Sequence, residues 1–237
     1  MPDPRFHTTQ WTLVFSAAAN DSESRPALNA LCEAYWFPVY AFIRRQGHGA
    51  TEAEDLTQAF YTKLIEKAYL AQVDRSRGKF RTFLLAAVKH FLSNERDRAL
   101  AQKRGGGAAH VPIDLSVAEE RYASEKAGGL SPEEAFEKRC ALSLLDTALQ
   151  RLRDEYVERD DLRHFEALAP LLTGDSPDLY EKVASDLGMS RGALRVALHR
   201  MRARFRMIVR EHVAALVAAP DQVDDEIRQL MNAVTLA

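Results

Sequence analysis

Residues Tyr180 to Arg206 read YEKVASDLGMSRGALRVALHRMRARFR, and no other stretch of the chain carries as much structural information. Two helices that cross at a tight turn need a small residue where they pack, a turn residue that tolerates positive φ, and an apolar anchor beyond it. Ala184, Gly188 and Leu194 stand at those three places. Val183, Leu187, Leu194, Ala197, Leu198, Met201 and Phe205 then supply a buried side, and Ser190 is placed to cap the second helix. The spacing predicts a helix-turn-helix; the plainer alternative is an antiparallel helical hairpin with one basic face.

The exposed side of the second helix is left with Arg191, Gly192, Arg195, Val196, His199 and Arg202. In a DNA major groove, Arg191 and Arg195 reach base edges or phosphates, Gly192 permits close approach, and Val196 meets a thymine methyl. Arg200, Arg204 and Arg206 are expected on backbone phosphates, which position a module without reading sequence.

Charge along the chain supports a polyanionic partner, although the total conceals it. The 237 residues carry a formal net charge of −2, an average that argues against nucleic-acid binding. From Met189 to Arg210, however, there are seven Arg and no acid. From Arg75 to Arg104 there are nine Lys and Arg against Glu95 and Asp97. The remainder then holds 16 bases and 32 acids, so the chain is bipolar, with two basic segments set in an acidic background.

Hydrophobic periodicity predicts helix almost throughout. Leu28, Leu31, Tyr35, Val39, Phe42 and Ile43 recur at three and four, as do Phe80, Phe83, Leu84, Ala87, Val88, Phe91 and Leu92. Thr51 with Glu54, and Ser131 with Glu134 after Pro132, have the spacing of reciprocal helix caps. Between Gly105 and Leu130 the period fails, and five of the eleven glycines gather there. The expected organisation is all-α, with two small helical domains at 11–104 and 131–212. A flexible linker at 105–130 joins them, and a helical tail occupies 213–237. In the tail Val223, Ile227, Leu230, Met231 and Val234 form an apolar face that must dock on something.

Several function classes find no support. No run of eighteen apolar residues exists, and Met1 to Gln10 lacks a basic region followed by an apolar stretch, so no membrane insertion and a cytoplasmic location are expected. Cys32 and Cys140 are 108 positions apart, which suits core residues better than a disulfide framework or a metal knuckle. The chain has no GxxxxGK[ST], HExxH or GxSxG, and Asp160, Asp161 and His164 read as a solvated polar cluster. No catalytic residue, metal or cofactor is therefore expected.

With these residues in place, the chain resembles the extracytoplasmic-function (ECF) group of bacterial RNA polymerase sigma factors, within the sigma-70 family. Tyr180-Glu181-Lys182-Val183-Ala184, Leu187-Gly188-Met189-Ser190-Arg191-Gly192-Ala193-Leu194-Arg195 and Leu198-His199-Arg200-Met201-Arg202 match the family's C-terminal helix-turn-helix. Lys182 replaces a Glu, and Ala193-Leu194 a Thr-Val. Glu52-Ala53-Glu54-Asp55-Leu56-Thr57-Gln58-Ala59-Phe60-Tyr61 resembles the helix that docks on the clamp helices of the polymerase β′ subunit, with Ala59 for the usual Glu. Phe80-Arg81-Thr82-Phe83-Leu84, Lys89-His90 and Asn94 resemble the promoter-melting helix, with Phe83 for Trp, Lys89 for Arg and His90 for Asn.

The resemblance implies a factor that performs no chemistry and directs promoter-specific initiation by core RNA polymerase. It implies recognition of a minus-35 element by Arg191, Gly192, Arg195, Val196, His199, Arg200, Arg202 and Arg206. Contact with the minus-10 element, and strand opening, fall to Lys79, Arg81, Phe83, Lys89, His90, Asn94 and Arg98. Polymerase docking falls to Glu54, Asp55, Gln58 and Tyr61 on the β′ clamp helices, with the β flap as a second polymerase contact and an anti-sigma protein as a regulatory partner. The alternative in another class is a stand-alone regulator that binds duplex DNA through the helix-turn-helix without polymerase.

Overall fold

The computed structural model describes residues 24–65, 79–101, 118–124, 129–172, 174, 176–217 and 219–235, with side chains from Tyr35 onward except at a few helix ends. The described elements are all helical. They are α1 (Ser24–Arg45), α2 (Ala50–Ile65), α3 (Phe80–Ala101), α4 (Ala118–Ser124), α5 (Pro132–Glu158), α6 (Leu162–Leu168), α7 (Pro177–Asp186), α8 (Arg191–Leu216) and α9 (Val223–Thr235), with short 3-10 turns at Ala169–Leu172 and Pro220–Gln222. Described residues up to Ser143 and from Val213 onward form one compact unit, and Leu144–His212 a second.

The first unit is built on aromatic packing. Tyr35 meets Phe80 edge-on at 5.2 Å, Phe60 meets Phe91 at 5.6 Å, and Phe42 meets Phe136 of α5 at 6.0 Å. Pro38 lies inside α1, where a missing N–H and ring clash cost about 3 kcal/mol in an isolated helix. Burial of Tyr35, Phe37, Val39, Tyr40, Phe42 and Ile43 around it offsets that cost, at roughly 1.5–3 kcal/mol per large apolar side chain. Cys140 is buried in this core, and burial pushes its thiol pKa up. Cys32 lies where side chains are not described.

Three details depart from the sequence-based expectation. α2 begins at Ala50, so Thr51 is inside the helix and not at its cap. The fully buried face of α2 is Ala53, Thr57, Phe60, Tyr61 and Leu64, and so includes the Tyr61 expected at the docking surface; Thr57 stays satisfied inside by donating to the Ala53 carbonyl at 2.6 Å. Within 105–130 the described residues include a helix, α4. Its Glu119 accepts from Arg44 Nε at 2.9 Å, Arg44 Nη2 at 2.8 Å and the Tyr40 hydroxyl at 2.5 Å, while Arg121 lies 4.1 Å over the Phe37 ring. The rest of that glycine-rich segment, apart from Gly129 and Leu130, falls outside the described residues.

The cap at Ser131 forms as its spacing requires. Ser131 N donates to Glu134 Oε2 at 2.8 Å and Glu134 N donates to Ser131 Oγ at 3.2 Å, so two otherwise orphaned donors at the start of α5 are met reciprocally.

Candidate nucleic-acid interface

In the second unit, α7 ends in a motif that satisfies its last carbonyls. Gly188 takes φ +64°, Met189 N donates to Ala184 O at 2.9 Å, and Gly188 N donates to Ser185 O at 3.1 Å. After a connection of four residues, 187–190, α8 starts, with Ser190 Oγ accepting from Ala193 N at 3.2 Å. Val183, Ala184, Leu194, Leu198 and Met201 are buried between the two helices and their neighbours, whereas Leu187, Ala197 and Phe205 are half-buried. Arg163 donates to Asp186 O at 2.7 Å and ties α6 to the end of α7.

This packing turns the expected residues of α8 outward. Arg191, Gly192, Arg195, Val196, His199, Arg200 and Arg206 are exposed, Val196 at 51%. Arg195, His199, Arg202 and Arg206 line one cleft of about 480 Å³ with Ser176, Pro177, Tyr180 and Leu198. Their spacing of four, three and four places all four side chains on one helical stripe. A Cβ added at Gly192 would meet open space, so the backbone there is bare on the outer face. Two cations are held by the protein's own groups: Arg202 donates to Leu171 O at 2.7 Å, and Arg191 pairs with Glu181 at the surface.

Arg204 behaves differently from its neighbours. Its Nε donates to Glu155 Oε2 at 2.8 Å, and its Nη1 lies 3.4 Å from Glu211. The Arg204 guanidinium holds the Glu155 carboxyl below the usual carboxylate range. A side chain committed to α5 in this way is a structural cation, and the phosphate role expected for it does not follow.

In the first unit, α3 exposes Lys89, His90 and Arg98, with Asn94 half-buried and its amide 3.3 Å from His90 Nδ1. Lys89 pairs with Glu133 at 2.6 Å and Arg98 with Glu95 at 3.0 Å, both near the surface. Phe83 is half-buried against Phe80 at 6.1 Å. A cleft of about 290 Å³ runs along this helix, lined by Phe42, Gln46, His48, Lys89, Leu92, Ser93, Arg96 and Glu133. The sequence reading did not single out Gln46, His48 or Arg96. Only Arg96 carried a signal, as one of the nine bases in its segment.

Two residues expected on contact surfaces are inside instead. Arg81 is 7% exposed; its Nε donates to Glu226 Oε1 at 2.6 Å, its Nη2 donates to Gln229 Oε1 at 3.0 Å, and it also pairs with Glu137. Tyr61 is fully buried beside Phe60 because it falls on the same α2 face as Thr57 and Leu64. Lys79 is mostly covered as well, 2.9 Å from Glu226 and 3.3 Å from Asp225. On α2, Asp55 is exposed, with Glu54 and Gln58 half-buried beside it. Thr62, one turn beyond Gln58, is buried.

Two outward basic surfaces on an all-α chain, one of them on a capped helix behind a glycine turn, fit a DNA-directed transcription factor. A family model described as ECF sigma factor matches residues 39–211, most of the chain and both basic helices. The chain belongs to the ECF sigma factor family. Neither characterised proteins nor solved structures gave a match in comparison. An ECF sigma factor directs transcription as an initiation factor, without enzymatic activity of its own, and partners with core RNA polymerase and promoter DNA. Among the described residues of this sigma factor, no helix is long and apolar enough to cross a membrane, and no group of three or more His, Cys, Asp or Glu could hold a metal ion.

Proposed function

We propose that this ECF sigma factor reads a minus-35 element with α8 and engages the minus-10 element with α3, while α2 docks on the β′ clamp helices of core polymerase. The observation that carries the proposal is the stripe of Arg195, His199, Arg202 and Arg206 on a helix whose first two turns also expose Arg191, Gly192 and Val196. The exposed N-terminal turn suits base edges of the major groove, and the stripe beyond it suits a phosphate backbone. On α3, Lys89, His90, Asn94 and Arg98 have the mixture of charge and hydrogen-bonding groups that holds an opened strand. The exposed carboxylate of Asp55, flanked by Glu54 and Gln58, gives α2 a polar docking face. The β flap is the contact proposed for the second unit, and an anti-sigma protein is the regulatory partner proposed.

Copurification with core polymerase tests the docking face. Asp55→Arg is expected to abolish association while leaving the helical circular dichroism and Tm unchanged, because the position is exposed. Retained association would refute this docking surface. A protein that bound a specific duplex tightly and never comigrated with core enzyme would instead be the stand-alone regulator.

A further inference from the structure

The tail was expected to dock through Val223, Ile227, Leu230, Met231 and Val234; Val223 and Leu230 are buried, the other three are half-buried, and the buried face also contains a charge. α9 buries Val223, Leu230 and Ala233, with Glu226 on the same face at 2% exposure. Glu226 and Asp225 meet Lys79 and Arg81, the two cations that flank the first residue of α3, and Gln229 adds a further acceptor to Arg81. Carboxylate oxygens thus occupy the donors that phosphate oxygens would otherwise take. A buried carboxylate is costly for mere docking, since apolar residues of similar volume hold a helix at least as well. Arg81 retains Glu137 of α5 as a second partner, so undocking of α9 does not leave its charge without a carboxylate.

We propose that α9 is an intramolecular stand-in for the nucleic-acid backbone: it occupies a phosphate site at Lys79 and Arg81 in the free chain and leaves when an opened DNA strand takes that site. This rests on the reading of α3 as the strand-contacting helix. α9 is a short element with only three fully buried apolar side chains beside a polar cluster, and an element with so few buried apolar contacts opens locally ahead of its domain. Coupling of release to strand capture keeps the free protein from binding single strands indiscriminately, because the site is filled with negative charge until a competing polyanion displaces it.

The test uses the full-length chain and a fluorescent random-sequence single strand of about 15 nucleotides, long enough to span one binding groove. Glu226→Gln keeps the shape and removes the competing charge; Asp225→Ala, at a half-exposed position, removes the weaker contact with no risk to the core. Tighter strand binding is expected, about tenfold for Glu226→Gln and twofold to threefold for Asp225→Ala, with a steeper salt dependence for the former. Hydrogen exchange on the wild-type chain is expected to show residues 223–235 losing protection when strand is bound, while α5 stays protected. Unchanged affinity in both variants together with undiminished α9 protection would overturn the proposal and make the tail a fixed part of the domain. Lys89→Ala separates the underlying reading: if it leaves strand binding unaltered, α3 is not the strand-contacting helix, whereas weaker binding with an inert tail refutes the tail proposal alone.

Discussion

Arg195, His199, Arg202 and Arg206 share one face of α8, yet they need not do the same work. Arg195 is near the N-terminal end, where a helix in the major groove meets base edges; Arg206 is three turns further on, where such a helix would have only phosphates within reach. Arg195→Ala is therefore expected to reduce discrimination among upstream promoter sequences. Arg206→Ala should weaken all sequences alike and lower the salt slope of binding by about one. Equal loss on every sequence for Arg195→Ala, measured by competition binding of the polymerase-bound protein, would show that the reading face lies elsewhere. Gly192 gives a second test at this scale. Its Cβ would meet open space, so Gly192→Ala should stabilise the free protein by about 0.5–1 kcal/mol. If the DNA backbone or a base edge approaches that bare position, the same variant must bind promoter more weakly; an unchanged affinity contradicts close approach.

At the scale of elements, what the sequence made legible was local. Gly188 at positive φ, Ser190 as a cap, and the Ser131/Glu134 reciprocal cap all follow from spacings of three to five residues, and all form. Residues whose environment is set by distant partners were not legible. Arg81 is one basic residue in a basic segment until α9, 145 residues later, brings Glu226 to it. Glu226 breaks no apolar period, since a helical face of Val223, Leu230 and Ala233 reads the same with or without a carboxylate between them. Tyr61 was placed on the docking surface by the resemblance alone, and the α2 register buries it. The buried cation gives a measurable contrast: Arg81→Ala should cost about 3 kcal/mol in denaturant unfolding, since it takes the guanidinium from both Glu137 and Glu226 and leaves Glu226 only Lys79, whereas Lys89→Ala, a near-surface pair, should cost less than about 1 kcal/mol. Similar small losses for both would place Arg81 at the surface after all.

For the whole molecule, the near-neutral total charge resolves into cations that face outward and cations that the fold consumes. Arg44, Arg81 and Arg204 are taken by Glu119, Glu226 and Glu155, while Arg195, Arg200 and Arg206 are exposed. Arg44 holds Glu119 below the ordinary carboxylate range, Lys89 does so for Glu133, and Arg204 for Glu155. Carboxyls depressed in the folded state contribute stability that is complete above their unfolded pKa and lost as pH falls through the folded value. Tm is thus expected to hold from neutral pH down to about pH 5 and to fall below it, and Glu155→Gln should shallow that fall. A Tm flat through the carboxylate range would mean these pairs contribute nothing.

The central claim is that both basic helices act together, on polymerase, to select where transcription begins. Transcription reconstituted from core RNA polymerase, this protein and sheared genomic DNA, with mapping of the transcript 5′ ends, tests it most directly. Discrete start sites are expected that appear only when the protein is added, share two upstream sequence elements, and lose the upstream one as a requirement in Arg195→Ala. Start sites identical with and without the protein would contradict it.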